Sequence, residues 1–420
     1  MTRTGKRQQS SADQPAYERQ SRDRYDWGML ALSWLLYFSF SFTLASLYPI
    51  VGAIKEDLGL TYAEVGIVLG SWQLVYLFAA IPVGLCVDRF QPRGVLFAGA
   101  LLVAGSQFAR SFAVDFPSLL LAVALLGVGG PVMSVGLPKV IAEWFGGRPR
   151  ALASGIYMTG AHVGQMVALA LTSFLTVQLQ DSWRTTLRIY AVLVMVNAVI
   201  WFVLAKPSPR RQNLELAPSV LQGMCAVARI RGLWPIVAVG FSGFLASHGY
   251  RSWLPELLSD KGMSPTTAGL VAAIPAFCGI VGSIVIVRFG SGRYHRAVII
   301  GLLVIVGASM LVAAAATGPL LLASVVVEGF CAAALIPMMM NRLMDLPEIG
   351  PKYMGAAAGI YFSVGELGGF FGPSVMGMAV GLTGSFLTGI AVLSFTMWCM
   401  IWPAYQLSNA KRTTETQRQG

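Results

Sequence analysis

Ala153-Ser154-Gly155-Ile156-Tyr157-Met158-Thr159-Gly160-Ala161-His162-Val163-Gly164 and Ala357-Ala358-Gly359-Ile360-Tyr361-Phe362-Ser363-Val364-Gly365-Glu366-Leu367-Gly368 read as one segment written twice, 204 residues apart. Gly-Ile-Tyr is identical in both copies, and Ala153 with Ala357 and Gly164 with Gly368 keep the same register. Outward from there, Gly66 matches Gly269 and Ser106 matches Ser309 at an offset of 203. Val87-Asp88-Arg89-Phe90 corresponds to Val287-Arg288-Phe289 after a short gap. Each copy of the segment lies in a long apolar run that follows a basic loop. An apolar chain that repeats itself halfway predicts two similar half-bundles able to rock about a site between them, the pattern expected of a secondary transporter.

Composition supports a membrane chain. Of 420 residues, 55% are hydrophobic and 12% charged, with a mean hydropathy of +0.66; soluble domains carry about 25% charged residues. The charges are bunched between apolar runs near 27–51, 62–86, 94–113, 116–142, 151–176, 186–205, 232–256, 266–289, 296–316, 319–343, 353–377 and 384–405. About twenty residues of helix cross a hydrocarbon core of ~30 Å, and uninterrupted runs without alternation predict helices rather than barrel strands. The expectation is an all-α membrane protein of twelve transmembrane helices in two pseudo-symmetric six-helix bundles.

Lysine and arginine set the expected orientation. The N-terminal tail, the even-numbered connections and the C-terminal tail hold 23 of the 30 basic residues, which predicts that both termini are cytoplasmic in a cell (inner or plasma) membrane. That asymmetry accounts for the net charge of +11, so no nucleic-acid partner is called for. The polar segment 1–26 lacks the apolar stretch of a cleaved signal, and span 1 is the expected insertion signal. The organisation reads as a tail (1–26), a first bundle (27–205), a linker (206–231), a second bundle (232–405) and a second tail (406–420). Within the linker, Leu221, Met224, Cys225 and Ala228 recur at helical spacing, which suits a surface helix or a plain tether. Cys86, Cys225, Cys278, Cys331 and Cys399 lack metal spacing and read as packing residues. No cofactor or metal is expected.

Between spans 2 and 3 the chain runs Gly84-Leu85-Cys86-Val87-Asp88-Arg89-Phe90-Gln91-Pro92-Arg93-Gly94-Val95-Leu96. This resembles the loop motif of the major facilitator superfamily. Gly84, Asp88, Arg89, Arg93 and Leu96 fit; Gln91 and Pro92 depart from the family's glycine and basic residue. The resemblance implies a cytoplasmic gate of Asp88, Arg89 and Arg93, with Asp88 meeting the start of span 11 near Lys352-Tyr353-Met354. A carboxylate is stabilised at a helix N-terminus; the alternative is that Asp88 ends span 2 and pairs locally with Arg89 or Arg93. Trp144-Phe145, Arg148, Arg150, Ala153, Gly155, Gly160 and Gly164 are similar to the span 4–5 region of cyanate, nitrate/nitrite and oxalate/formate porters. Ser252-Trp253-Leu254-Pro255 with Gly262, Ser264 and Gly269 is similar to the cyanate group. The family's proton-linked arginine in span 4 is replaced by Val123.

Charge within a bilayer costs at least a few kcal/mol and usually faces a cavity. His162 in span 5 and Glu366 in span 11 are equivalent in the repeat, and a titratable group in each half suits a coupling proton; each is also able to serve as a hydrogen-bonded structural residue. His248 and Arg251 share a face of span 7, and Glu328 in span 10 is expected to pair with one of them. Arg251 then either holds an anion by a two-pronged contact or joins a structural ion pair. Tyr37, Gln73 and Tyr157 are further candidate substrate contacts. Arg110 is expected to snorkel to the interface, while Lys139 reads either the same way or as a guard of the inner mouth. Trp27, Tyr48, Trp144, Trp183 and Trp402 read as interfacial anchors.

The combined expectation is a monomeric secondary active transporter moving a small organic or inorganic anion by alternating access, coupled to protons. The rival readings are an exporter of a neutral or cationic compound and a non-transporting receptor-like protein. No phosphate loop for ATP-driven pumping is seen, and three unpaired histidines supply no enzyme site.

Overall fold

The computed structural model describes residues 26–145, 148–180, 182–207, 220–290 and 294–407. All of the regular structure in them is helical. Span 1 runs Trp27–Ala45 and continues, after a short 3-10 turn at Tyr48–Ile50, as Val51–Leu58. Spans 2 to 6 are Tyr62–Arg89, Pro92–Arg110, Phe116–Trp144, Arg148–Gln178 and Trp183–Leu204. A linker helix, Val220–Ala228, precedes spans 7 to 9 at Leu233–Asp260, Pro265–Gly290 and His295–Ala315. Span 10 is broken into Gly318–Ala332 and Leu335–Met344, span 11 is Gly350–Thr383, and span 12 is Phe386–Cys399 followed by Ile401–Gln406.

Nine of these spans are long and apolar enough to cross a membrane by length and composition alone. The other three are spans 3, 7 and 11, which carry Gln107 and Arg110, then His248, Arg251 and Glu256, then Glu366 and many glycines. These are helices whose polar faces are turned into the protein.

The repeated segment packs in the same way in both halves. In span 5 a Cβ at Gly164 would lie 2.3 Å from Phe38 O of span 1; in span 11 a Cβ at Gly368 would lie 2.3 Å from Phe241 O of span 7. Only glycine lets these backbones approach so closely where no hydrophobic effect draws helices together.

Span 1 breaks because Pro49 has no N–H to continue its ladder. Ser46 Oγ donates to Thr43 O at 2.9 Å, and Arg110 Nη1 reaches the same carbonyl at 2.7 Å. Arg110 is therefore wholly buried, which corrects its placement at the interface: a carbonyl exposed by the break draws the guanidinium inward. Tyr48 and Trp183 are also buried rather than interfacial. Lys139 Nζ donates to Val87 O at 2.6 Å, one of the carbonyls left without a helical donor at the end of span 2.

Asp26 caps span 1, accepting from Gly28 N at 2.9 Å and Met29 N at 3.3 Å, and its Oδ2 receives Lys206 Nζ at 2.5 Å. That ammonium holds the Asp26 carboxyl below its ordinary range. A lowered folded pKa adds stability above the unfolded value and loses it as pH falls through the folded one. Because Lys206 is largely exposed, the gain is ~1 kcal/mol at most. Asp26→Asn should thus lower the unfolding temperature modestly at neutral pH, with the gap closing as pH drops below about 4. Thermal unfolding at both pH values measures this.

Candidate functional site

The two halves meet along spans 2 and 11 and along spans 5 and 8, near the ends joined by residues 58–62 and 260–265. A Cβ at Gly66 would lie 2.5 Å from Pro373 O, one at Gly377 2.2 Å from Tyr62 O, and one at Gly269 2.4 Å from Leu169 O. Lys55 Nζ sits 4.5 Å over the Tyr62 ring, and the Glu256 carboxylate packs on Gly52. Toward the opposite end the halves part. Positions 84, 155, 355 and 359, all glycine, have nothing within 4 Å of where a Cβ would stand, and Phe78, Ile81 and Leu85 of span 2 are exposed. A cleft closed at one end and open at the other results.

Aromatic rings line its floor from both halves. Tyr37 lies 5.7 Å from Tyr157 and 6.4 Å from Phe40, while Phe40 and Trp72 are 6.0 Å apart. Trp72 approaches His248 edge-on at 6.0 Å, and Phe244 stacks on that imidazole at 5.9 Å. Gln73 Nε2 stands 3.2 Å from both His248 Nδ1 and Gly369 O. The structure thus brings Tyr37, Tyr157, Gln73 and His248 to one region.

Arg251 is half-buried, and of its three nitrogens only Nε is fully enclosed without a partner. Its charge is within electrostatic reach of His248 and Glu328 in its own half and of His162 and Tyr48 in the other. The Glu328 carboxylate, however, is wholly buried with both oxygens unpartnered. It makes no ion pair with His248 or Arg251 among the described residues, contrary to the sequence expectation, although it lies within electrostatic reach of Arg251 and of Tyr250. The Tyr250 hydroxyl is likewise enclosed and unpartnered.

His162 and Glu366, equivalent in the repeat, do not meet. His162 Nδ1 lies 3.4 Å from Met158 O, one turn back on its own helix. Glu366 is buried with Oε2 unpartnered and lies within electrostatic reach of Tyr37 and Tyr76 of the first half. The basic residues of the loop motif behave differently from one another. Arg93 Nη2 donates to Phe202 O at 2.6 Å, and Trp201 Nε1 donates to Arg93 O at 3.0 Å, which ties span 3 to span 6 within one half. Arg89 is exposed. The side chains of Asp88, Arg148 and Lys352 lie outside the described residues. Trp72, Tyr76 and Phe244 carry no sequence signal for the site; Gly369 belongs to the glycine cluster Gly365, Gly368, Gly369 and Gly372 of span 11, which reads as close packing, and the signal for its free carbonyl is the proline four residues later.

Two half-bundles around a polar, aromatic-lined cleft define a multi-pass membrane transporter. The chain belongs to the Major Facilitator Superfamily, whose profile matches residues 33–373. It is 22% identical over 357 residues to the hexuronate transporter of Bacillus subtilis, covering 79% of this chain and 83% of that one. It is 26% identical over 372 residues to the probable nitrate transporter NarT of Staphylococcus carnosus, covering 83% and 90%. A bacterial homologue of the human lysosomal transporter Spinster, solved in an inward-facing and occupied conformation, shares the fold with a TM-score of 0.74 at 16% identity, over 93% of this chain and 98% of that one.

Proposed function

We propose that this protein moves a small anion, organic or inorganic, across the cell membrane by alternating access, driven by protons. One observation carries the reading: Arg251 stands where the halves meet, with no ion pair among the described residues and with its outer nitrogens not enclosed. A guanidinium there offers a fork of donors matched to a carboxylate or a planar oxoanion. Relatives that carry hexuronate and nitrate support an anionic cargo. The cleft opens toward the end that bears most of the basic residues, which by the positive-inside rule is the cytoplasm.

Coupling has a physical basis. Arg251 and a protonated His162 repel, and an anion between them relieves that repulsion, so anion and proton bind better together than apart. Glu366 and Glu328 are the further candidates for carrying the proton. The aromatic rings around Glu366 favour a second reading, export of an organic cation held by cation–π contact.

Uptake into proteoliposomes with an acidic exterior decides between them. The expected result is accumulation of a hexuronate, nitrate or an aromatic carboxylate, abolished by a protonophore. Accumulation of an organic cation with none of the anions would overturn the reading, and binding without accumulation would indicate a receptor.

A further inference from the structure

At the deepest point of contact between the halves, three spans share one small hydrogen-bonded knot. Pro373 of span 11 has no N–H, so the carbonyl of Gly369, one turn earlier, has lost its helical donor. Gln73 of span 2 supplies the replacement, donating from Nε2 to Gly369 O at 3.2 Å. The same nitrogen lies 3.2 Å from Nδ1 of His248 on span 7. Glycine at 369 makes room for this: a Cβ there would stand 3.2 Å from Gln73 Cγ and 3.3 Å from His248 Cδ2.

The donors can be assigned by elimination. A carbonyl only accepts, so the end of the Gln73 amide facing Gly369 is its –NH2. That nitrogen carries two hydrogens, one for the carbonyl and one for the ring. Nδ1 of His248 is then the acceptor, and the imidazole hydrogen is on Nε2. Nε2 has no protein partner among the described residues and is not enclosed. Trp72 and Phe244 both contact the ring, and Arg251 follows one turn along the same helix face.

We propose that Gln73 is a positioning residue: it holds His248 as the Nε2–H tautomer, so that this N–H donates into the cleft beside Arg251 and completes a site for a carboxylate. This rests on the anion reading above. Arg251 and His248 Nε2–H together offer donors and no acceptor, which suits a carboxylate and disfavours a cation. Gln73 belongs to the first half, whereas His248 and Gly369 belong to the second. The knot therefore exists only while the halves are closed at this end. Opening that end withdraws Gln73 and frees the tautomer, so the site is built for its anion in one state and loosened in the other.

Nitrogen-15 NMR of the full chain with labelled imidazoles, in lipid nanodiscs, reads the tautomer without any transport. The chain has three histidines, His162, His248 and His295, and His248→Gln assigns the signal. The expected wild-type form is Nε2–H. In Gln73→Glu the carboxylate accepts but cannot donate, so the hydrogen moves to Nδ1 and Nε2 presents a lone pair to the anion. KM for the transported anion should then rise about tenfold or more, by a larger factor than kcat falls. Gln73→Met, which neither donates nor accepts, should give mixed tautomers and a smaller rise. Adding Gln73→Glu to His248→Gln should change KM no further. An Nδ1–H form in the wild type, an unchanged tautomer in Gln73→Glu, or a switch that leaves KM within about twofold would each overturn the proposal. If the wild type carries no anion at all, the functional reading fails, while the spectra still decide whether Gln73 sets the tautomer.

Discussion

Arg251→Lys should raise the KM for the transported anion about tenfold or more, equivalent to ~1.4 kcal/mol of lost binding. Its Nε is enclosed with no partner, and no acidic group forms an ion pair with the guanidinium among the described residues. The structural arginines Arg93 and Arg110 also leave buried nitrogens unpartnered, but each donates to a protein carbonyl, Phe202 O and Thr43 O, whereas Arg251 has no such bond among the described residues. Here Glu328 is within electrostatic reach of Arg251 but takes no hydrogen bond. Lysine keeps the charge and loses the planar fork, so the expected loss is specific to an anion held by two contacts. Fold stability should change little, because no protein hydrogen bond of Arg251 is removed. Initial-rate uptake across a range of anion concentrations, with thermal unfolding of the same preparation, checks both halves of this expectation. An unchanged KM would make Arg251 a structural residue and move the anion site elsewhere in the cleft.

Much of the architecture is legible in the sequence because the bilayer simplifies it. Span length, loop charge and the 204-residue repeat define twelve helices in two bundles, and Gly164 and Gly368 mark the close crossings in each. Depth within a span also follows from counting residues. Direction around the helix does not, and the candidate site depends on it. His162 and Glu366 share a level, yet one lies within electrostatic reach of Arg251 and the other of Tyr37 and Tyr76. Arg110 reads as an interfacial residue by position along span 3. It points inward because Pro49, on a different helix, breaks span 1 and leaves Thr43 O to be satisfied. Gln73 is similar: its partner carbonyl is freed by a proline 300 residues away in the sequence, and only the packed structure brings them together. Prolines in apolar spans are therefore the most informative residues that pattern reading undervalues here. Pro373 frees Gly369 O for Gln73, and the end of span 1 at Pro49 leaves Thr43 O for Arg110.

Glu366→Gln should abolish proton-driven accumulation while anion exchange between equal pools survives. Glu366 lies on span 11, the helix that packs against span 2 of the other half, and its Oε2 is enclosed without a donor. The carboxyl lies within electrostatic reach of Tyr37 and Tyr76 of the other half. Carrying an isolated charge through a closed, membrane-buried state is costly, so the cycle is favoured when a proton or counter-ion travels with the carboxylate. Glutamine keeps the shape and mimics the proton-carrying form permanently. The halves can still close around a bound anion and reopen, which is all that exchange requires. Net accumulation against a gradient requires the proton to leave and return, and that step is gone. His162→Gln tests the other candidate in the same assay. Loss of accumulation in Glu366→Gln alone places the proton on span 11; loss in His162→Gln alone places it beside Arg251. Wild-type accumulation in both variants would remove the pair from the proton path and leave Glu328, buried and unpartnered beside Tyr250, as the group to replace next.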